Sequence, residues 1–195
     1  TTLALLVLDS ASVRHRPEDD DAMFVRQGDD YVVAHSAMAD GRFAVAKPAH
    51  GLRVFVLGGS TAMGTPYAQQ RNGMGDELMG LLAVPNEGGI ATWLHEILAD
   101  MLDDRLVEVV NVARGGQGSA AALQTLLRVI EVGDPDLVVL LAGNNERDRA
   151  EYTYLADPGN PPRPLDEILV EQTEAWTANL GAMVDAADAA SVPFA

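Results

Sequence analysis

The sequence predicts an α/β fold built on a doubly wound parallel sheet. Three observations point there: three short, nearly continuous apolar runs of strand length, a glycine close behind each of them, and helical stretches in between. Unbroken apolar runs of this length suit strands covered on both faces, as parallel strands are. Strand-helix alternation implies right-handed crossovers, which place ligands at the carboxyl ends of the strands where the strand order reverses.

Residues 1–50 read as an N-terminal lead-in. The apolar run Thr2–Leu8 is ended by Asp9 and falls far short of the roughly 20 residues of a membrane span. It reads as a first strand or helix edge, with the tail of a removed signal or anchor as the alternative, so membrane attachment is expected only through a segment preceding Thr1. Arg14–Asp21 is a charged connector holding Pro17, and Met23–Val33 is a hairpin turning at Gly28-Asp29-Asp30. The first core strand is Leu52-Arg53-Val54-Phe55-Val56-Leu57, stopped by Gly58-Gly59. A helix follows from about Ile90 to Leu102, then a second strand over Val107–Val112 with Gly115 and Gly116 behind it. Ser119–Glu131 is helical, Pro135 closes the connection, and Leu137–Leu141 is the third strand, ending at Gly143. Four prolines between Asp157 and Pro164 force a loop, Asp166–Ala190 is a long Ala-rich helix, and Val192–Ala195 begins a fourth strand.

Composition narrows the function. The 195 residues fit one domain, and 48% hydrophobic residues with 5% aromatics describe a globular chain rich in Ala, Val and Leu. Thirteen basic against 29 acidic side chains give a net charge of −16, which argues against nucleic acid and anionic membrane surfaces as partners. Without cysteine there is neither disulfide framework nor thiolate chemistry. The acidic cluster Glu18–Asp21 lacks a turn glycine at calcium-loop spacing and reads as a solvated run, so no metal and no cofactor are implied. Trp93 and Trp176, both on helices, are expected to pack rather than to bind.

The chemistry is expected in the three segments behind the strands: Gly58-Gly59-Ser60-Thr61, Asn111 to Ser119, and Gly143-Asn144-Asn145-Glu146. On adjacent strands about 4.8 Å apart, the Ser60 hydroxyl would stand exposed at a strand end. Its own amide, the amide of Gly116 and the side-chain amide of Asn145 could then surround one oxygen, as an acyl-transfer site requires. Taken singly, each residue has a plainer reading: Ser60 as a helix cap, Gly116 as a turn glycine, Asn145 as a cap or Asx-turn residue. A phosphate loop is excluded because the required G-K-[S/T] is missing and Lys47 precedes the strand. A G-x-S-x-G elbow is excluded because Ala62 stands two residues after Ser60.

These segments resemble, in order and spacing, three blocks of the SGNH (GDSL-type) hydrolase family: Gly58-Gly59-Ser60 the first, Asn111–Gly116 the second, and Gly143-Asn144-Asn145-Glu146 its G-x-N-[D/E] block. The resemblance covers about residues 52–195, and it implies a flavodoxin-like three-layer sandwich as the hydrolase domain, residues 51–195. It implies Ser60 as nucleophile and first oxyanion donor, Gly116 as second and Asn145 as third, in serine-dependent hydrolysis of carboxylic esters without cofactor. A carbohydrate, lipid or other small-molecule ester would be the substrate. The same equipment would serve an O-acyltransferase, and a domain without turnover would be a binding or scaffolding module. Glu146 in place of the commoner Asp is similar to a subgroup found in large bacterial, often membrane-attached proteins, which implies an extracytoplasmic or membrane-attached location. The family's D-x-x-H block does not follow Asn145. His15, His35, His50 and His95 all precede it and read as surface or packing residues. The chain is therefore expected to be a fragment lacking its last strand and catalytic base, and nearly inert alone.

Overall fold

The computed structural model describes residues 23–34, 41–64, 89–146 and 164–195. The run Thr2–Leu8, the connector with its acidic cluster, His15, His35 and the proline-rich stretch up to residue 163 lie outside the described residues.

Leu52–Gly58 (β4) is the centre of a parallel sheet, flanked by Val107–Asn111 (β5) and Leu137–Leu141 (β6) in the order β5-β4-β6. Beyond β6 the expected fourth strand is present as a parallel bridge between Val138 and Phe194, with the Val138 amide donating to the Pro193 carbonyl at 2.9 Å and the Leu140 amide to that of Ala195 at 2.8 Å. Alternation along β4 divides the core in two. Phe55 and Leu57 pack with Leu126 and Val129 of Ser119–Gly133 (α3) and Met183 of Leu165–Ala189 (α4). Val56 packs on the other face with Ala62 of Ser60–Met63 (α1) and Ala91 of Ile90–Met101 (α2). Helices therefore cover both faces, giving an α/β three-layer architecture with the parallel sheet in the middle.

Phe24–Gln27 (β1) and Asp30–Val33 (β2) form the expected hairpin, paired Gln27 to Asp30 around Gly28-Asp29. Arg42–Ala44 (β3), too short to carry a periodic signal, adds a third antiparallel strand against β2. This small sheet joins the main core through rings: Phe43 lies edge-on to Phe24 at 5.2 Å and to Phe55 of β4 at 5.3 Å. Trp93 departs from expectation. The buried side of α2 is small, carried by Ala91 with Leu94 half-buried, and the indole, pointing elsewhere, is 61% exposed.

Arg53 interrupts the apolar run of β4 and is fully buried. Every part of its guanidinium is used: Nε donates to Glu108 Oε2 at 2.7 Å, Nη1 to the Gly133 carbonyl and Nη2 to the Ala44 carbonyl, both at 2.8 Å, and the Phe43 ring lies 5.0 Å away. Glu108 also accepts the Ala44 amide at 3.0 Å, so one ion pair ties β3 to β4, β5 and the end of α3. Asp136 accepts the Arg53 amide at 2.8 Å and the Lys47 ammonium at 2.9 Å. Burial alone would raise the Asp136 carboxyl, but these two donors outweigh it and hold the group below its ordinary 3.8. Burial likewise opposes the charge of Lys47, and hydrogen bonds to Asp136 and Asp134 outweigh it, holding the ammonium above its ordinary 10.5.

Two outcomes follow from this network. Replacing Arg53 by Met leaves Glu108 without its cation and should lower stability by about 3–5 kcal/mol, seen as a reduced urea midpoint. Because the Asp136 carboxyl is depressed in the folded state, its contribution is complete above pH 3.8 and is lost as the pH falls through the lower folded value. Asp136→Asn should therefore flatten the acid side of a Tm-against-pH curve recorded from about pH 6 to about pH 2.

Candidate functional site

The strand order reverses about β4, which has β5 on one side and β6 on the other, so a crevice is expected between the carboxyl ends of β4 and β6. A small cleft of about 70 Å³ lies there, lined by Gly59, Ser60, Thr61 and residues Leu141 to Asn145.

Its geometry starts from two glycines. Gly58 is left-handed at φ 139°, and a Cβ there would stand 2.0 Å from the Leu141 carbonyl oxygen. A Cβ on Gly59 would stand 2.4 Å from Asn145 Nδ2. The bare backbone at Gly58 and Gly59 is what lets the end of β6 and the Asn145 amide close down on the residue before Ser60.

Ser60 opens α1, a single turn too short to persist alone. Asn111, buried at the end of β5, holds it: Nδ2 donates to the Ala62 carbonyl at 3.1 Å while Oδ1 accepts the Ala113 amide at 3.1 Å. The loop after β5 is docked by the Arg114 amide on the Gly58 carbonyl at 3.0 Å and turns at residues 114–117, closed by the Gln117 amide on the Arg114 carbonyl at 3.2 Å. Gly116, at φ 71°, supplies the left-handed position of that turn. The next residue presents its carbonyl to the third segment: Asn145 Nδ2 donates to Gln117 O at 2.7 Å. Glu146, 8% exposed, accepts the Ser119 amide at the start of α3 through Oε1.

Of the expected residues, Ser60 and Asn145 share the cleft, while Gly116 sits on the exposed turn one residue from Gln117 and does not line it. Neither described histidine lies there. His50 precedes β4, at the opposite end of that strand, and exposed His95 borders a roomier cavity of about 290 Å³ between α2 and β5. Among the described residues no group of three His, Cys, Asp or Glu could hold a metal ion. The holding roles of Asn111, the Gln117 carbonyl and Glu146 have no sequence signal beyond membership of the three segments.

No family model matches the sequence, and no curated protein matches it. Among known structures the chain is similar to SGNH-type esterases and GDSL-like lipases. It is 21% identical to the psychrotrophic esterase EstA from Pseudoalteromonas sp., with a TM-score of 0.43 over 73% of this chain and 57% of that one. A GDSL-like lipase from Bacteroides thetaiotaomicron is 15% identical, with a TM-score of 0.41 over 76% and 50%. AlinE4, an SGNH-hydrolase family esterase, is 13% identical, with a TM-score of 0.36 over 76% and 77%. The chain thus spans about half the length of the first two.

Gly59→Ala tests the close approach. The added methyl group should push Asn145 off the Gln117 carbonyl and shift the Asn145 side-chain amide resonances in an NMR spectrum, with the other backbone resonances of β4 and β6 largely unmoved.

Proposed function

We propose that this chain carries the serine nucleophile and oxyanion donors of an SGNH-type serine esterase, which hydrolyses carboxylic esters through an acyl-Ser60 intermediate. The observation that supports this reading best is the shared cleft of Ser60 and Asn145, with the Asn145 amide already oriented by a backbone carbonyl. A primary amide has two N–H groups. One of those on Asn145 is engaged by Gln117, leaving the other for a substrate oxygen.

In the proposed reaction Ser60 Oγ attacks the acyl carbon, and the carbonyl oxygen becomes an oxyanion met by the Ser60 amide and the Asn145 side chain; Gly116, the second donor that the resemblance implies, lies outside the cleft. Collapse expels the alcohol and leaves the acyl group on Ser60, which water then removes. The Ser60 proton must pass to a base, and among the described residues no histidine lines the cleft. The resemblance assigns that role to a D-x-x-H block, whose histidine would take the proton and later return it to the leaving alcohol. Small-molecule, carbohydrate or lipid esters are the substrate class this equipment serves.

The test is p-nitrophenyl acetate hydrolysis by the full-length protein and its Ser60→Ala variant at equal concentration. Turnover that vanishes with Ser60→Ala identifies the nucleophile, and Asn145→Ala should lower kcat by about 10² to 10³. A folded full-length chain without Ser60-dependent turnover on this or longer acyl esters would instead favour a binding module on the same fold.

A further inference from the structure

Asn145 and Glu146 are neighbours in the chain, and their side chains grip two backbone groups that are also close together, the Gln117 carbonyl and the Ser119 amide. We infer that Glu146 is a positioning residue for the oxyanion donor Asn145, acting through this two-point clamp; the inference rests on the esterase reading above.

One hydrogen bond leaves a segment free to pivot, whereas two on adjacent residues fix both its distance and its rotation. The clamp joins the segment behind β6 to the loop behind β5, and that loop is itself anchored to β4 by the Arg114 amide. Its far side is secured by Gln117 Nε2 on Thr125 Oγ1 at 2.7 Å and by Asn179 Nδ2 on Ser119 Oγ at 3.0 Å. With the loop held at these points, Glu146 is what pins the Asn145 segment to it at a second place.

Glu146 Oε2 is buried with no hydrogen-bond partner among the described residues, and a buried polar atom left unpaired is destabilising. Its other oxygen does what no apolar side chain can, accepting an orphan amide at the amino end of the 15-residue α3, where negative charge is also favoured. Misplacing a catalytic group by about 1 Å costs on the order of 10²-fold in rate, so loosening the clamp should appear in kcat.

The experiment compares Glu146→Ala, Glu146→Gln, Asn145→Ala and the Asn145→Ala/Glu146→Ala double variant in the full-length natural chain, by ester hydrolysis and by NMR. Glu146→Ala should lower kcat about 10- to 100-fold with KM nearly unchanged. Glu146→Gln, which keeps a carbonyl acceptor for Ser119, should recover most of that loss. In the Asn145→Ala background Glu146→Ala should cost little more, because the residue it positions is already gone. Unchanged kcat in Glu146→Ala, losses that add in the double variant, or a loss confined to KM would each overturn the inference. If Glu146→Ala does not fold, Glu146→Asp replaces it, since a side chain one methylene shorter keeps the charge but not the reach to Ser119. The NMR readout needs no turnover: Glu146→Ala should move the Asn145 side-chain amide resonances together with the Ser119 amide, and if only the Ser119 amide moves the clamp is refuted. Absence of Ser60-dependent hydrolysis would count against the esterase reading, while the resonances would still decide whether the clamp exists.

Discussion

No methyl group fits at Gly58 or Gly59, and the rest of the site follows from that. β4 and β6 are in register to their last residues, Gly58 against Leu141, and a side chain on Gly58 would run into the Leu141 carbonyl. Without this contact the two strands would separate a residue sooner and the segment behind β6 would swing outward. At Gly59 the amide of Asn145 comes within 2.4 Å of where a Cβ would be. Two backbone positions therefore bring a serine on one strand end and an amide on another into a single cleft, with no contribution from the size of any side chain. Small size is also what keeps the site poor in hydrophobic anchoring, so polar contacts have to hold it: Asn111 on α1, Arg114 on Gly58, Asn145 and Glu146 on the loop behind β5.

The opposite end of the same sheet is built on the reverse principle. There the strands begin around a buried cation rather than around bare backbone. Isolated burial of a guanidinium is strongly unfavourable, and a buried ion pair often fails to repay its desolvation. Arg53 meets that difficulty by pairing with a carboxylate, bonding two carbonyls and facing an aromatic ring at once. Its partners come from β3, β5 and the end of α3, so the cation specifies which elements meet at the amino ends of the strands. The small antiparallel sheet is held by this pair and by the Phe24, Phe43 and Phe55 rings, which makes residues 23–34 and 41–44 a cover for one end of the core.

The three parallel strands and three long helices are legible in the sequence because each is specified locally, by a nearly unbroken apolar run or by helical spacing. The adjacency of the strand ends is legible too, since doubly wound topology dictates it. What escapes is non-local. Arg53 looks like an interruption in an apolar run, because two of the three groups that accept its hydrogen bonds lie 55 and 80 residues away in sequence. Arg42–Ala44 gives no strand signal because three residues show no alternation, and its pairing with β2 makes it a strand. Trp93 stands exposed against expectation because helical position says which residues share a face and not which face is covered. Ser60 and Asn145 can be named from their segments, but the bond from Asn145 to the Gln117 carbonyl cannot, since nothing in either segment specifies the distance between them.

That bond also decides what Asn145 can do. A carboxamide presents an acceptor and a donor of nearly the same shape, and only its surroundings say which faces a ligand. A carbonyl oxygen at Gln117 can receive only the nitrogen, so the amide is oriented with its NH₂ group toward the loop. On the proposed esterase reading, an oxygen atom arriving beside Ser60 would meet a donor already in place. Donors fixed before charge develops stabilise an oxyanion without reorganising at the moment of reaction, and this advantage is larger away from bulk water. The described residues that line the cleft carry no acidic side chain, so the acidic character of the chain as a whole does not extend to them. The polarity of this one small cleft is thus set by backbone carbonyls and glycines, independently of the net charge around it.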